Sequence, residues 1–216
     1  MDNIHIRQYT PQDRAAVRQI CCDTADRGEP VERFFGDREV FADLLTRYYT
    51  EDEPEALWVA EHDGDVIGYL TGCLKSRRYQ RIMAWRVLPR TAVKALTRGL
   101  LGSVQAWRLA WAGMRTWLSR GVRNSAPLAR YPAHLHLNIH HGFRGRQVGR
   151  RLLEQFLDQV RRAGVRGVHA AVRSDNAQSC RFFERAGFVE VGRQRVLFPE
   201  GHTVRSHDTV IYGKTL

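Results

Sequence analysis

The stretch from His140 to Leu153, HHGFRGRQVGRRLL, places glycines and arginines directly before an apolar helical pattern. Glycines in such a turn let backbone N–H groups approach a phosphate, and the start of a helix adds the positive end of its dipole. Basic side chains would bring further positive charge to the same point. The stretch therefore predicts a pyrophosphate site, with a basic helix cap as the alternative.

The spacing within this turn does not fit two common nucleotide sites. No Gly-Lys-Ser/Thr follows Gly145, so the P-loop pattern is absent, and the dinucleotide pattern GxGxxG is absent as well. Nucleotide hydrolysis and dinucleotide binding therefore lack support in the sequence.

Two histidines before the turn are candidates for acid–base chemistry. His134, His136 and Asn138 alternate with leucines in the run HLHLN, so a strand would point all three to one side. A histidine near its ordinary pKa of about 6.5 accepts a proton at neutral pH. Both histidines are candidate general bases; the alternative is that they are hydrogen-bonded residues of a sheet. No carboxylate lies near them in sequence, and no metal site is predicted.

The elements that must position these groups alternate between strand and helix patterns. The predicted strands are residues 4–8, 57–61, 66–73, 134–139, 167–172, 189–198 and 203–212. The predicted helices are residues 11–24, 37–49, 88–119, 149–163 and 176–185. This order predicts an α/β fold, a mixed sheet with helices on both faces.

Charge is distributed unevenly along the chain, whose net charge is +11. From Val66 to Leu153 there are 17 lysines or arginines and no acidic residue, so this span carries +17 and the rest −6. We interpret residues 1–216 as a single domain with a basic helical insertion at 75–130. An acidic partner would suit that insertion.

The insertion carries large apolar residues at helical spacing. They are Trp107, Trp111, Met114, Trp117 and Leu118. We expect the tryptophans to belong to the core or to a lid over a substrate groove. A face for a membrane, a nucleic acid or a protein is the alternative.

The first residues, the apolar runs and the cysteines of the sequence indicate the cellular compartment of the protein. The sequence begins with polar residues, has no apolar leader, and nowhere runs 18 uncharged apolar residues together. Its four cysteines form neither a disulfide framework nor a metal-ligand spacing. The sequence therefore predicts a cytoplasmic protein without a transmembrane segment.

Two motifs resemble the GNAT-type N-acetyltransferases, which use acetyl-CoA. The family's loop pattern Arg/Gln-x-x-Gly-x-Gly/Ala is matched by RGRQVG at 144–149, with Gln147 in place of a glycine. The pattern Asn-x-x-Ala-x-x-Phe-Tyr-x-x-x-Gly-Phe is matched by NAQSCRFFERAGF at 176–188. The runs YPAHLHLN and VRGVHAAV further resemble acetyltransferase-like domains attached to bacterial O-GlcNAc hydrolases. The resemblance covers essentially the whole chain and implies a GNAT-type, mostly antiparallel sheet.

The resemblance implies cofactor roles by position. Backbone amides of the turn would hold the pyrophosphate of acetyl-CoA, two β-strand residues would pair with the pantetheine arm, and a later helix would reach the cofactor. Phe183 stands where the family has a tyrosine that serves as the acid. The implied cofactor-binding residues are Leu137, Ile139, Arg144, Gly145, Arg146, Gln147, Val148, Gly149, Arg150, Asn176 and Phe183.

The activity implied is acetyl transfer to an amine by direct attack in a ternary complex, with His136, His134 and Asn138 as catalytic candidates. A backbone N–H near Leu137 or Asn138 would stabilise the oxyanion. Phenylalanine cannot donate a proton, so another group acts, the thiolate leaves unassisted, or acetyl-CoA is bound without turnover. The alternative function is a non-catalytic acetyl-CoA-binding or sensing module that docks a partner through the insertion. The expected acceptor is an amine-bearing small molecule or peptide, and a homodimer is compatible with the sequence.

Overall fold

The computed structural model describes residues 3–120, 128–200 and 203–216. Within them, seven strands form one sheet in the order β1-β2-β3-β4-β5-β7-β6. The strands are β1 (Ile4–Gln8), β2 (Leu57–His62), β3 (Asp65–Cys73), β4 (Ala133–Ile139), β5 (Gly167–Arg173), β6 (Val189–Glu200) and β7 (Thr203–Thr215). Among the paired neighbours, β4 and β5 run parallel and the other pairs are antiparallel. The predicted mixed, mostly antiparallel sheet is confirmed.

Helices cover both faces of this sheet, as predicted. They are α1 (Arg14–Asp23), α2 (Arg38–Glu51), α3 (Ser76–Ile82), α4 (Leu88–Thr97), α5 (Val104–Arg120), α6 (Val148–Arg162) and α7 (Ala177–Arg185). One hydrophobic cluster joins α6 and α7 to the face of β4 that carries Leu135. A second cluster joins α1 and α2 to the opposite face of β2 and β3. Because side chains alternate along a strand, His134 and His136 face the α1 and α2 side.

Helix α6 is placed by a row of buried apolar side chains on one side. These are Leu152, Leu153, Phe156, Leu157 and Val160. Phe156 packs over Gly72 of β3, where a Cβ atom would lie 2.1 Å from the Phe156 ring. Glycine at position 72 therefore lets α6 approach the sheet, with its first turn beside the end of β4.

The insertion between β3 and β4 is built of several helices. The predicted helix 88–119 divides into α4 and α5 at Gly99, whose φ of +72° suits glycine. The structure adds α3, which the sequence analysis missed, and a π-helical turn at Met83–Val87. Residues 121–127, which belong to the predicted insertion at 75–130, lie outside the described residues.

Two tryptophans of α5, Trp107 and Trp111, do not lie in the core. Trp107 and Trp111 are 60% and 45% exposed, whereas Ala112 is buried. Thr116 lies against β6, where its hydroxyl oxygen accepts a hydrogen bond from the Leu197 N–H at 3.0 Å. The expectation of a core position is therefore wrong, because the small side chains of α5 face the sheet. The side chain of Trp117 lies outside the described part of the structure.

Candidate active site

The strands β4 and β5 separate from each other after a short paired segment. They pair at Ala133 with Val168 and at His134 with His169. Both strands continue beyond these residues, held by β3 and β7 on their outer edges. Their facing edges, at 135–139 and 170–173, thus form what we call the β4/β5 wedge. An extended ligand could complete the backbone hydrogen bonds of these edges.

The glycine-arginine turn leads from the end of β4 into the first turn of α6. The N–H groups of Val148, Gly149 and Arg150 occupy that first turn, where a helix supplies no backbone acceptor. The Arg151 N–H already bonds back to the Gln147 carbonyl, at 3.1 Å. These free donors and the helix dipole form an anion site beside the wedge.

Gly149 faces the β4 side of the wedge. A Cβ atom on this residue would lie 3.1 Å from side-chain carbons of both Leu137 and Ile139, and 3.4 Å from the Phe182 ring. The absence of a side chain therefore allows the start of α6 to lie directly against the strand. The structure thereby brings together the turn and the strand residues that sequence analysis assigned to one cofactor.

Three arginines of the turn have different surroundings. The Arg144 Nε donates to the Ile139 carbonyl at 3.2 Å, and its guanidinium covers Gly28, which follows α1. The Arg146 guanidinium lies 5.3 Å from the centre of the Phe143 ring. Arg150 is exposed, and its Nε donates to Glu154 at 2.8 Å. Arg144 therefore links the turn to β4, a contact that would hold the turn in one conformation.

Gln147 adopts a left-handed backbone conformation with a φ of +61°. A side chain in this region costs about 1 kcal/mol, which glycine avoids. We therefore expect Gln147→Gly to raise Tm by about 2–4 °C in thermal denaturation. Gln147→Ala, which keeps the Cβ atom, is the control and should give no such rise. An unchanged Tm in Gln147→Gly would show that the turn relieves the strain elsewhere.

His134 is buried and both of its ring nitrogens are hydrogen-bonded. Its Nδ1 lies 2.7 Å from the Ser76 Oγ and its Nε2 lies 2.9 Å from the Tyr49 hydroxyl. Because the Ser76 hydroxyl donates to the Pro132 carbonyl, its oxygen accepts from Nδ1–H, and Nε2 accepts from Tyr49. Burial lowers the pKa of His134 well below its usual range. This geometry favours the interpretation of His134 as a hydrogen-bonded sheet residue.

His136 lies beyond the last residue of β4 that pairs with β5, although it still pairs with Thr71 of β3, and its side chain is exposed at the wedge. One side of its ring faces other rings, with its centre 5.9 Å from that of His134 and 6.4 Å from that of Tyr49. Desolvation on this side, and then the neighbouring His169, lower the pKa of His136 to about 4. His136 is therefore neutral at pH 7 and able to accept a proton.

Two further polar residues lie on the same side of the strands. The Asn138 Nδ2 donates to the Thr24 hydroxyl oxygen at 2.6 Å, which links β4 to the end of α1. His169 of β5 bonds through Nδ1 to the Tyr131 carbonyl at 2.8 Å. Sequence analysis missed His169 because its nearness to His134 and His136 depends on the pairing of β4 with β5.

The three neighbouring histidines predict a pH-dependent stability. Burial also lowers the pKa of His169, so all three are held below the unfolded value of about 6.5. The unfolded chain therefore binds more protons than the folded chain below that pH, and Tm should fall as the pH drops from 7.5 to 5. His136→Gln, at an exposed position, should make this fall shallower. A Tm that falls equally steeply with pH in both proteins would contradict a lowered pKa of His136 in the folded state.

The position of the family's acid is filled by a buried ring without a hydroxyl. Phe183 packs against Phe188, with ring centres 5.1 Å apart, and stacks on Tyr212 at 6.0 Å. The Tyr212 hydroxyl donates to Glu184 at 2.8 Å. Asn176 begins α7, where its side-chain oxygen accepts the Ser179 N–H at 3.1 Å. Its NH₂ group is the part left for a ligand.

A network of charged residues lies at the end of β5 on the α1 side. Arg173 forms ion pairs with Asp26 at 3.3 Å and Asp175 at 2.8 Å. It also donates to the His207 Nδ1 at 3.0 Å, and the His207 Nε2 lies 3.2 Å from Glu200. Sequence analysis did not find this network, because four separate segments contribute to it. In the described residues, no cluster of three or more histidine, cysteine or acidic side chains could hold a metal ion.

Comparison with known proteins finds one matching family model and several solved structures with a similar fold. The model of the acetyltransferase (GNAT) family matches residues 129–188, which include β4, α6, β5 and α7. The crystal structure of SsHAT has a TM-score of 0.71 at 26% identity, over 98% of both chains.

Two further structures share the fold at lower identity. The acetyltransferase yncA from Salmonella typhimurium, solved with its cofactor acetyl-CoA, has a TM-score of 0.59 at 20% identity, over 99% of this chain and 94% of that one. Drosophila melanogaster polyamine N-acetyltransferase has a TM-score of 0.66 at 18% identity, over 99% and 100%. The match at residues 129–188 and the similarity over nearly the whole chain show that this chain has the GNAT acetyltransferase fold.

Proposed function

We propose that this protein transfers the acetyl group of acetyl-CoA to an amine while both are bound. The observation that carries the proposal is the meeting of the α6 N-terminus with the β4/β5 wedge. The first turn offers N–H groups and a positive dipole to a pyrophosphate, and the wedge offers unpaired strand edges to an extended arm. A further buried polar atom in the turn, the His140 Nδ1, has no hydrogen-bond partner among the described residues. The site therefore fits a ligand that is anionic at one end and extended at the other.

Each part of the site would hold one part of acetyl-CoA. The amides of residues 146 and 148–150 would bind the pyrophosphate, and Arg144 would keep the turn in place. The backbone of Leu137 and Ile139 would pair with the pantetheine arm along the wedge. Gly145 and Gln147 would shape the turn, and the Asn176 NH₂ group would reach the cofactor from α7.

Acetyl-CoA would supply an acetyl group activated as a thioester. A neutral amine must reach its carbonyl carbon, so that a C–N bond replaces the C–S bond. His136 would take the proton that the nitrogen loses and pass it to solvent through the wedge. A backbone N–H near Leu137 or Asn138 would stabilise the negative charge on the carbonyl oxygen. Because Phe183 has no proton to give, the thiolate would leave unassisted and take a proton from water.

The charged network beside β5 bears on the acceptor. The Arg173 side chain is balanced by Asp26 and Asp175, and Glu200 lies close by. The charge of Arg173 at this side of the wedge is therefore already paired with carboxylates. A strongly acidic acceptor is not favoured here, which leaves a small amine, a peptide amine or an amino sugar.

A second candidate is a non-catalytic acetyl-CoA-binding or sensing module, and Phe183 favours it. Thiol release from acetyl-CoA across amines, peptides and amino sugars separates the two, with calorimetric binding measured in parallel. We expect micromolar binding and turnover with at least one acceptor class. No binding would reject both functions, and binding without thiol release would reject the enzyme.

The Phe183→Tyr variant tests the proton supply. If the thiolate leaves unassisted, the kcat of this variant should stay within about threefold of the kcat of the unmodified protein. Phe182→Tyr, one residue away, is the control for the effect of an added hydroxyl. Activity that arises only in Phe183→Tyr would show that the natural chain lacks a needed acid and would support the sensing module.

A further inference from the structure

The outer side of α5 is an apolar stripe that is about half exposed, although its Trp107 Nε1 donates a hydrogen bond to the Leu101 carbonyl at 2.7 Å. Its residues follow one another at intervals of three and four positions: Val104, Trp107, Trp111, Met114 and Leu118. Each of these side chains is between 45% and 61% exposed. At about 100° of rotation per residue, this spacing keeps all five on one side of the helix.

The opposite side of α5 is already in use. Leu109 packs against the hydrophobic cluster of α1 and α2, Ala112 is buried, and Thr116 bonds to β6. By helical geometry these residues lie roughly opposite the apolar stripe. The helix is thus anchored through its small side chains and presents its large ones outwards. To bury the stripe against the rest of the protein, α5 would have to rotate about its own axis and lose these contacts.

Helix α4 repeats this arrangement. Val93 and Leu96 are exposed, while Thr91 is buried and Lys94 binds Asp43 of α2. Just before α4, Trp85 has 83% of its surface exposed. Together with the α5 stripe, these residues define what we call the apolar face of the insertion. Extended exposed apolar surfaces mark sites of interaction, and the α5 stripe is the continuous part of this face.

The basic residues of the insertion fall into two groups, and three of them, Arg86, Lys94 and Arg98, pair with acidic residues at α2 and its two ends. Beside the apolar face are Arg81, Arg90, Arg108 and Arg115, and none of these four forms an ion pair with an acidic residue in the described part of the chain, so their charge is left for a partner. The Arg115 guanidinium lies 5.4 Å from the centre of the Trp111 ring, which leaves its charge at the edge of the stripe. An occupant must therefore combine an apolar interior with negative charge at its surface.

Three kinds of occupant meet this requirement to different degrees. A second copy of the chain would supply a matching apolar stripe, but it would also bring arginine against arginine. A nucleic acid would supply the negative charge but has little to bury leucine, valine and methionine. An anionic bilayer supplies both, since Trp side chains favour its interface, aliphatic ones enter the acyl boundary, and arginines contact lipid phosphates.

We propose that the apolar face of the insertion binds the surface of an anionic lipid bilayer, with α4 and α5 lying in the interface. The mode is peripheral: in the residues that the structure describes, every helix is too short or too polar to cross a bilayer. The candidate active site is formed by α6 and the wedge, which are separate from α4 and α5. The bound helices would therefore hold the protein at the membrane without covering that site. This inference is independent of the proposed acetyl transfer.

Vesicle binding by the full chain tests the proposal. Vesicles of phosphatidylcholine with about 30% phosphatidylglycerol should bind it at least tenfold more tightly than pure phosphatidylcholine at about 0.15 M salt. The tryptophan fluorescence should shift to shorter wavelength and be quenched by brominated acyl chains. No binding to the anionic vesicles, or equal binding to both kinds, would overturn the proposal.

Matched variants separate the two contributions. Trp85→Ser/Met114→Ser/Leu118→Ser should weaken vesicle binding about tenfold or more, whereas Leu45→Ser/Val189→Ser, at exposed apolar positions elsewhere, should not. Arg90→Gln/Arg115→Gln should weaken it, and Arg162→Gln/Arg166→Gln, with the same loss of charge, should do so less. Thermal denaturation checks that each variant folds.

Two results would assign the face to another occupant. Retention on single-stranded RNA that outcompetes anionic vesicles would make it a nucleic-acid surface. A dimer in sedimentation velocity that the apolar triple variant dissociates, without vesicle binding by either protein, would make it a self-association surface. Either result would overturn a lipid role.

Discussion

Replacing His136 by glutamine is expected to lower kcat about 100-fold and to leave the dissociation constant of acetyl-CoA unchanged. Glutamine keeps the size and polarity of the exposed side chain but cannot take a proton from the acceptor amine. The measurement is steady-state thiol release at saturating acetyl-CoA, with calorimetric binding of acetyl-CoA alone. The split between kcat and binding distinguishes a base from a residue that only shapes the wedge.

The pH profile adds a second readout. Protonated His136 cannot act as a base, so kcat should fall as the pH drops through its pKa of about 4, and not near the ordinary histidine value. His134→Gln is the comparison, because that histidine was the other candidate. We expect it to lower Tm, through the lost bonds to Tyr49 and Ser76, and to change kcat less. A large loss of kcat in His134→Gln with none in His136→Gln would reverse the assignment.

The contrast between these two histidines shows where sequence analysis reaches its limit. The alternation of HLHLN placed both on one face of β4, and the structure agrees. Their difference comes from Tyr49 on α2 and Ser76 on α3, which are far from His134 in sequence and bind its two nitrogens. Nothing in the local pattern encodes such contacts.

The helices show the same limit. A period of three and four residues predicted α6 and a single helix over 88–119, which the structure divides into α4 and α5. On α6 the large side chains form the inner row, so size indicated the buried side correctly. On α5 the inner row is Leu109, Ala112 and Thr116, and the larger residues face outwards. The sheet surface that α5 meets decided this, and it is formed by β6, late in the chain.

The turn was the best predicted part of the site. Its glycines, its position between a strand and a helix and its order in the chain are all local features, and the structure places it beside the wedge. The sequence does not predict the left-handed backbone of Gln147, since a residue other than glycine rarely adopts this conformation. The separation of β4 from β5 depends on strand pairing, and the sequence analysis did not predict it.

Reversing the charge of Arg150 is expected to raise the dissociation constant of acetyl-CoA about 30-fold. The glutamate of Arg150→Glu would stand in the first turn of α6, where the proposal places the pyrophosphate, so attraction becomes repulsion. A loss of folding cannot explain such a change, because an acidic side chain at a helix N-terminus is favoured by the dipole. That gain offsets the small repulsion from Glu154 four residues later.

Arg161→Glu is the matched control, since it reverses the same charge on the same helix. Arg161 is exposed and pairs with Asp158, as Arg150 pairs with Glu154, but it lies in the last turn. Calorimetry should find acetyl-CoA binding within about twofold of the unmodified protein, because surface charges beyond about 8–10 Å are screened at physiological salt. Equal weakening in both variants would mean that overall charge governs binding, and the first turn of α6 would lose its assignment as the pyrophosphate site. Weakening confined to Arg150→Glu would locate the anion at that turn even if no acceptor amine has been found.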